Sequence, residues 1–213
     1  MTRVSQALAF AEAVFQNDSS GHDFQHTLRV YRQATRIAER EKADAEMVQL
    51  AAILHDVDDR KLFGEAAGKT LPNARKFLAE NDFSAEATEK ICQIIASVSF
   101  KGTDTRVPET LEGQIVQDAD RLDAIGAIGI GRAFAFGGSR GRTMHLPDVA
   151  PKEGMTEAEY TTNEGTTIHH FYEKLLLLRD MMNTATAREL AEQRHRFMET
   201  FLDEFYAEWT GQR

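Results

Sequence analysis

Apolar residues recur at helical spacing along most of this 213-residue chain, and this periodicity is what most restricts its fold. No sustained alternating, β-branched run bounded by hairpin signals occurs in the sequence. We therefore expect an all-α fold. The predicted helices cover residues 4–15, 23–42, 44–56, a short segment after Pro72, and residues 84–98, 109–122, 126–136, 166–182 and 186–209.

Three polar residues stand where the first turn of a helix needs an N-cap acceptor: Asp23, Asp44 and Ser84. Between the periodic segments, clusters of small, polar and charged residues indicate loops. The longest of these loops is rich in glycine, and loops of such length in compact proteins are often functional. Loops are predicted at residues 17–21, 64–68, 101–108 and 137–155.

The charge of the chain limits its partners. Its net charge is −9, whereas non-specific binding to a nucleic acid depends on Lys and Arg neutralising many phosphates. We therefore expect no nucleic-acid partner, although a small phosphorylated ligand needs only a local cluster of basic residues. The single cysteine, Cys92, lies in an apolar helical run and is expected to be a reduced core residue.

The sequence has no segment that approaches the length of a membrane-spanning helix, which takes about 20 apolar residues. Its first residues also lack the apolar core and cleavage site of a secretory signal. We expect a cytoplasmic protein with no membrane partner. No pattern indicates an oligomeric state.

Residues 50–61, Leu-Ala-Ala-Ile-Leu-His-Asp-Val-Asp-Asp-Arg-Lys, place His55 and Asp56 at the end of an apolar helical run. Adjacent helical side chains differ in direction by about 100°, so an ion can reach both only at the edge between them. Such an ion needs further ligands from other helices, and His26 and Asp120 are candidates. Two imidazoles and two carboxylates suit Mn²⁺, Co²⁺, Ni²⁺, Fe²⁺ or Zn²⁺ better than Mg²⁺.

At this point the sequence resembles a known family. Its motifs are GHDFQHTLRV at residues 21–30, LHDVDD at 54–59, VQDADRLDAIG at 116–126 and HFYEKL at 170–175. They are similar to those of small stand-alone bacterial members of the HD-domain metal-dependent phosphohydrolases, an all-helical superfamily. The resemblance implies a helical bundle with additional C-terminal helices. We expect one domain over residues 1–213, with its core at about 20–125 and a helical layer at about 126–213.

The same resemblance implies four metal ligands, which are His26, His55, Asp56 and Asp120. Asp118 is the alternative for the last position, and would otherwise accept a hydrogen bond from a ligand imidazole. In related single-metal members a carboxylate at the position of Asp59 is the general acid/base. Members with two metals insert extra histidines after the HD pair, and none occurs between residues 57 and 143. We therefore expect one divalent ion.

Basic residues are the candidates for holding the substrate. Lys61 is close in sequence to the HD pair, and Arg140 and Arg142 lie in the glycine-rich stretch, where guanidinium groups suit a polyphosphate. A mobile surface loop is an equal alternative for the two arginines. Lys174, near the start of a late helix, is a further candidate.

These observations and the resemblance predict a hydrolase of small phosphorylated metabolites, most simply nucleotides. A nucleoside triphosphate pyrophosphohydrolase is favoured because the candidate basic side chains are several and spread out. The alternatives are a 5'-nucleotidase and a non-catalytic nucleotide-binding regulatory module.

Overall fold

The structure, a computed structural model, describes residues 2–16 and 23–213, apart from the side chain of Lys61. All regular elements of this described part are helices, which confirms the predicted all-α fold. The loop predicted at residues 17–21 lies outside the described residues. The described chain forms two compact units, residues up to 100 with 106–120, and residues 101–105 with 121–213. The expected single domain over residues 1–213 remains a prediction.

The first unit is built around its third helix, α3. Its residues from Leu50 to Leu54 are all buried, as is Val48. A helix that is apolar on every side belongs in the centre of a core, and α3 contacts α1, α2 and α7. The helices of this unit are α1 (Arg3–Val14), α2 (Phe24–Glu41), α3 (Ala45–Leu54), α4 (Arg60–Phe63), α5 (Glu65–Thr70), α6 (Pro72–Glu80), α7 (Ala85–Val98) and α8 (Leu111–Asp123), of which the last three residues belong to the second unit.

The three predicted N-caps are confirmed. The side chains of Asp23, Asp44 and Ser84 accept hydrogen bonds from backbone N–H groups in the first turns of α2, α3 and α7. Each bond satisfies an amide that has no partner within its own helix. The caps therefore fix where these helices begin.

The loop predicted at residues 64–68 is wrong, because residues 65–70 form α5. Gly64 has a φ of 88° and reverses the chain, and the following helix packs against α4. Gly64 and the small residues after it resemble a loop in composition, but this contact with α4 supports a helix.

The second unit contains α9 (Gly126–Ser139), α10 (Glu157–Thr161), α11 (Thr167–Glu173) and α12 (Ala185–Trp209), with 3₁₀ segments at Gly102–Asp104 and Leu175–Arg179. The predicted loop at 137–155 begins too early, because α9 continues to Ser139. The single helix predicted at 166–182 is also wrong. Lys174 leaves the α-helical region with φ −146° and ψ −59°, so the chain ends α11 and continues as a 3₁₀ segment. None of the helices described is both long enough and apolar enough to cross a membrane.

The central position of α3 leads to a stability prediction. Ile53→Ala removes a fully buried side chain and is expected to lower the free energy of unfolding by about 2–5 kcal/mol. Lys76→Ala, at an exposed position on α6, is the control and is expected to change it by less than about 0.5 kcal/mol. Urea denaturation followed by circular dichroism measures both values, and equal losses for the two variants would contradict the central packing of α3.

Candidate metal centre

Two helix ends of the first unit bring the histidines together. His26 lies in the first turn of α2, where Asp23 accepts the hydrogen bond of its backbone N–H. His55 follows the last residue of α3. Both side chains are almost completely buried, and their Nε2 atoms lie 3.3 Å apart. The buried position of α3 therefore places the imidazole of His55 beside that of His26.

The carboxylates of Asp56 and Asp120 complete the cluster. Oδ2 of Asp56 lies 3.4 Å from Nε2 of His26 and 3.3 Å from Nε2 of His55. Oδ1 of Asp120, on α8, lies 3.4 Å from Nε2 of His26 and 3.9 Å from Nε2 of His55. Thus the structure brings together all four residues that the sequence indicated as ligands.

The spacing of three of these atoms fits one metal ion. Two donors that are each about 2.1 Å from an ion are about 3.0–3.4 Å apart at octahedral or tetrahedral angles. The two Nε2 atoms and Oδ2 of Asp56 form a triangle with edges of 3.3–3.4 Å. His26, His55 and Asp56 therefore form a possible metal site, beside which Asp120 offers a fourth donor.

The tautomer of His55 also suits a ligand. Its Nδ1 lies 2.8 Å from the carbonyl oxygen of Ala52, and a carbonyl can only accept a hydrogen bond. Nδ1 must therefore carry a proton and donate it, which in the neutral imidazole leaves the lone pair on Nε2. This arrangement, with one ring nitrogen donating to a backbone carbonyl, is typical of metal-binding histidines.

The charges of the cluster favour a bound cation. Burial lowers the pKa of His55, but the charge and hydrogen bond of Asp56, together with the charge of Asp120, outweigh it and raise that pKa above its ordinary value. Partial burial raises the pKa of Asp120, whereas the hydrogen bond from His26 and the charges of both imidazoles lower it to about 2. Asp120 thus remains ionised and stabilises positive charge on or between the imidazoles.

Helical phase separates Asp120 from its alternative, Asp118. Residues two positions apart on a helix point in directions about 200° apart. The Asp118 side chain is completely buried, while 30% of the Asp120 side chain is exposed beside the two histidines. The geometry therefore favours Asp120 as the ligand from α8.

Asp59 lies in the first unit, but not on a continuation of α3. The helix ends at Leu54, and the chain turns through residues 55–58 before α4 begins. The backbone N–H of Asp59 donates to the carbonyl of Asp56 at 3.0 Å, and its carbonyl accepts from the amides of Leu62 and Phe63. Asp59 is half-buried at this junction, so a tight turn, and not a helical turn, relates it to Asp56.

The basic candidates lie in different parts of the chain. Lys61 is in α4, whereas the other three belong to the second unit. Arg140 is exposed, with its guanidinium 5.5 Å from the ring centre of Phe136. Arg142 donates to the carbonyl of Asn163 at 2.9 Å. Lys174 has its ammonium 5.7 Å from the ring centre of Tyr160.

The sequence analysis missed two buried carboxylates. Asp58, in the HD turn, accepts hydrogen bonds from the amides of Asn73 and Ala74 at the start of α6. Glu173 accepts from Nδ2 of Asn163 at 2.7 Å and from the amide of Lys152 at 3.2 Å, which holds the loop before α11. Both carboxylates bind groups at least ten residues away, so no local pattern signals them.

Comparisons with known proteins agree with this architecture. Residues 23–125 match the HD domain family. YpgQ of Bacillus subtilis strain 168 is 39% identical over 204 residues, which are 95% of this chain and 91% of YpgQ. The crystal structure of B. subtilis YpgQ in complex with ADP has a TM-score of 0.77 at 35% identity and covers 98% of both chains. The crystal structure of an HD-superfamily hydrolase from Bacillus thuringiensis has a TM-score of 0.76 at 38% identity, covering 99% of this chain and 100% of that one.

Asp118 and Asp120 point in different directions from α8, so substitution of each residue tests which one is the fourth ligand. Asp120→Asn is expected to weaken Mn²⁺ binding at least about tenfold, because it removes a charged donor. Asp118→Asn, the matched comparison on the same helix, is expected to weaken it less than Asp120→Asn does, even if the loss of a buried carboxylate lowers stability. Electron paramagnetic resonance of free Mn²⁺ during titration measures both affinities. The reverse order would make Asp118 the ligand.

Proposed function

This chain belongs to the HD-domain superfamily, and from that premise we propose that it is a divalent-metal-dependent phosphohydrolase acting on nucleotides. The observation that carries the proposal is the convergence of two buried Nε2 atoms and a carboxylate oxygen at 3.3–3.4 Å. HD domains bind divalent metals, and the donor set here fits one such ion. His26, His55, Asp56 and Asp120 are the proposed ligands.

The mixed nitrogen and oxygen donors favour Mn²⁺, Co²⁺, Ni²⁺, Fe²⁺ or Zn²⁺ over Mg²⁺. When bound, such an ion supplies Lewis-acid polarisation of a phosphoryl oxygen and makes water more acidic. His55 is held ready by its Nδ1 hydrogen bond to Ala52, so its Nε2 can bind without rotation. Asp120, whose pKa is lowered to about 2, stays ionised and supplies compensating negative charge, and Asp56 is the second carboxylate of the proposed set.

The remaining chemistry is a proton transfer, and Asp59 is our candidate for it. In hydrolysis, water forms a new P–O bond, the bond to the leaving oxygen breaks, and one proton must leave the attacking water while the leaving group gains one. A half-buried carboxylate next to the metal ligands in the chain is suited to accept the first proton and deliver the second. The turn that fixes Asp59 relative to Asp56 limits how far it can move.

A nucleotide is the proposed substrate class because the YpgQ structure, which resembles this chain over 98% of its length, is a complex with ADP. Among nucleotides we propose a triphosphate, cleaved to the monophosphate and pyrophosphate. Lys61, Arg140, Arg142 and Lys174 are the proposed phosphate-binding residues, since several cations are needed to neutralise a triphosphate. Of these, Arg142 already donates to the backbone carbonyl of Asn163.

The reaction can be tested directly. Metal-stripped protein is incubated with Mn²⁺, Co²⁺, Ni²⁺ or Mg²⁺ and a panel of nucleoside mono-, di- and triphosphates, and the products are followed by phosphorus NMR. We expect pyrophosphate from triphosphates, fastest with a transition metal. Inorganic phosphate from monophosphates alone would instead establish a 5'-nucleotidase. Nucleotide binding without turnover under any of these metals would establish a regulatory binding module.

The role of Asp59 predicts a separation of turnover from metal binding. Asp59→Asn is expected to lower kcat about 10²–10⁴-fold, because the amide cannot accept the proton, while Mn²⁺ affinity changes less than about threefold. Asp148→Asn, at an exposed position in the second unit, is the control and should leave kcat unchanged. Steady-state kinetics and Mn²⁺ titration give the two quantities. Full activity of Asp59→Asn would remove Asp59 from this role.

A further inference from the structure

The turn after α3, which contains Asp56 and leads to Asp59, is hydrogen-bonded to the start of α6. Asp58 is only 1% exposed. Its Oδ1 accepts the backbone N–H of Asn73 at 3.0 Å, and its Oδ2 accepts that of Ala74 at 2.9 Å. In return, Nδ2 of Asn73 donates to the carbonyl oxygen of Val57 at 2.8 Å. Three hydrogen bonds therefore join two consecutive residues of the turn to two consecutive residues of α6.

We propose that Asp58 and Asn73 are positioning residues of the metal centre, which set the places of Asp56 and Asp59. This inference rests on the proposed function, in which Asp56 binds the metal and Asp59 transfers the proton. Asp58 lies between these two residues in sequence. A shift of its backbone therefore moves the ligand on one side and the proton-transfer group on the other.

The position and the charge of Asp58 at the N-terminus of α6 strengthen its hydrogen bonds. The N-cap residue of α6 is Leu71, whose side chain cannot accept a hydrogen bond. The first amides of this helix therefore depend on acceptors from elsewhere, and Asp58 supplies two, fifteen and sixteen residues before the amides of Asn73 and Ala74. Its negative charge also lies at the positive end of the helix dipole. A buried carboxylate with two charge-assisted hydrogen bonds is held much more firmly than a solvated one.

The helix that receives Asp58 is itself fixed. Ala74, Phe77 and Leu78 of α6 are buried, α6 packs on α7, and the ring of Phe77 lies 5.1 Å from that of Phe10 in α1. Val57, whose carbonyl accepts from Asn73, is also fully buried. The turn is thus anchored to the packed interior through residues 57 and 58. The residues on either side are Asp56, the proposed metal ligand, and Asp59, the proposed proton-transfer group.

The hydrogen bonds of the turn itself leave little freedom. The amide of Asp59 donates to the carbonyl of Asp56 at 3.0 Å, and that of Val57 to Leu54 at 3.4 Å. Local bonds of this kind define the shape of the turn, whereas the bonds to α6 define its place. Partners that orient metal ligands without binding the metal commonly change metal affinity or activity about 10–100-fold when they are removed.

Three variants and one control test the inference. Asp58→Ala removes both acceptors, Asp58→Asn keeps one carbonyl oxygen in the same place, and Asn73→Ala removes only the bond to Val57. Ser84→Ala is the matched control, because it also deletes an N-cap hydrogen bond of a helix in the first unit, but at α7. Mn²⁺ affinity is measured by electron paramagnetic resonance well below the melting temperature of every variant, and kcat and KM are measured separately.

We expect Asp58→Ala to weaken Mn²⁺ binding about tenfold and to lower kcat more than it raises KM, with Asp58→Asn recovering only part of both losses, because it keeps one of the two acceptors and no charge. Asn73→Ala should give a smaller loss of the same kind. Ser84→Ala should lower the melting temperature by about 2–4 °C without changing either quantity. If Asp58→Ala does not fold, the comparison of Asp58→Asn and Asn73→Ala with Ser84→Ala provides the same test.

Two results would overturn the inference. One is Mn²⁺ affinity within twofold of the wild type in all three variants of the turn. The other is an equal loss in Ser84→Ala, which would mean that general destabilisation is responsible. Since Mn²⁺ affinity is measured without any substrate, a failure of the proposed hydrolase function would leave this part of the test intact.

Discussion

The hydrogen bond from Nδ1 of His55 to the carbonyl of Ala52 connects the core of the first unit to the proposed metal centre. Ala52 lies in α3, which is buried almost all round, so the carbonyl has a fixed position. Because a carbonyl can only accept, the bond also fixes the tautomer and leaves the lone pair on Nε2. The hydrophobic burial of α3 therefore determines where Nε2 of His55, the proposed metal-binding atom, points. Disturbing the packing of this helix would change the metal centre without altering any ligand.

The electrostatic balance of the centre follows from that burial. Two ionised carboxylates beside two buried imidazoles need positive charge, which either protons or a metal ion can supply. The raised pKa of His55 and the lowered pKa of Asp120 are the result when protons supply it. A divalent ion would take their place at the two Nε2 atoms, so protons and metal compete for the same lone pairs. The donor atoms of the cluster thus already have the positions and the charge that favour a cation.

The parts of this structure that the sequence predicted are those that depend on local interactions. Asp23, Asp44 and Ser84 cap the helices that follow them directly, so their type and position were sufficient. The helix of residues 65–70 and the break at Lys174 depend on contacts or backbone angles that composition does not encode. No local pattern marked Asp58 as a structural residue, because its partners lie fifteen and sixteen residues away. The four proposed ligands were indicated by the resemblance to the HD family, with Asp118 as the alternative to Asp120, and the position of Asp120 beside the two histidines supports Asp120.

Substrate selection has to come from outside the metal centre. In the proposed function, a metal ion held by imidazole and carboxylate ligands polarises a phosphoryl oxygen, and such an ion does not distinguish a monophosphate from a triphosphate or one base from another. On a chain with a net charge of −9, that distinction requires local cations.

Arg140 and Arg142 lie near the same ring, that of Phe136, but they are held differently. Arg142 donates to the carbonyl of Asn163 and so helps to fix the loop, whereas the side chain of Arg140 is exposed. The two proposed phosphate-binding arginines therefore differ in how firmly they are held, because only the position of Arg142 is tied to a backbone carbonyl of the same unit.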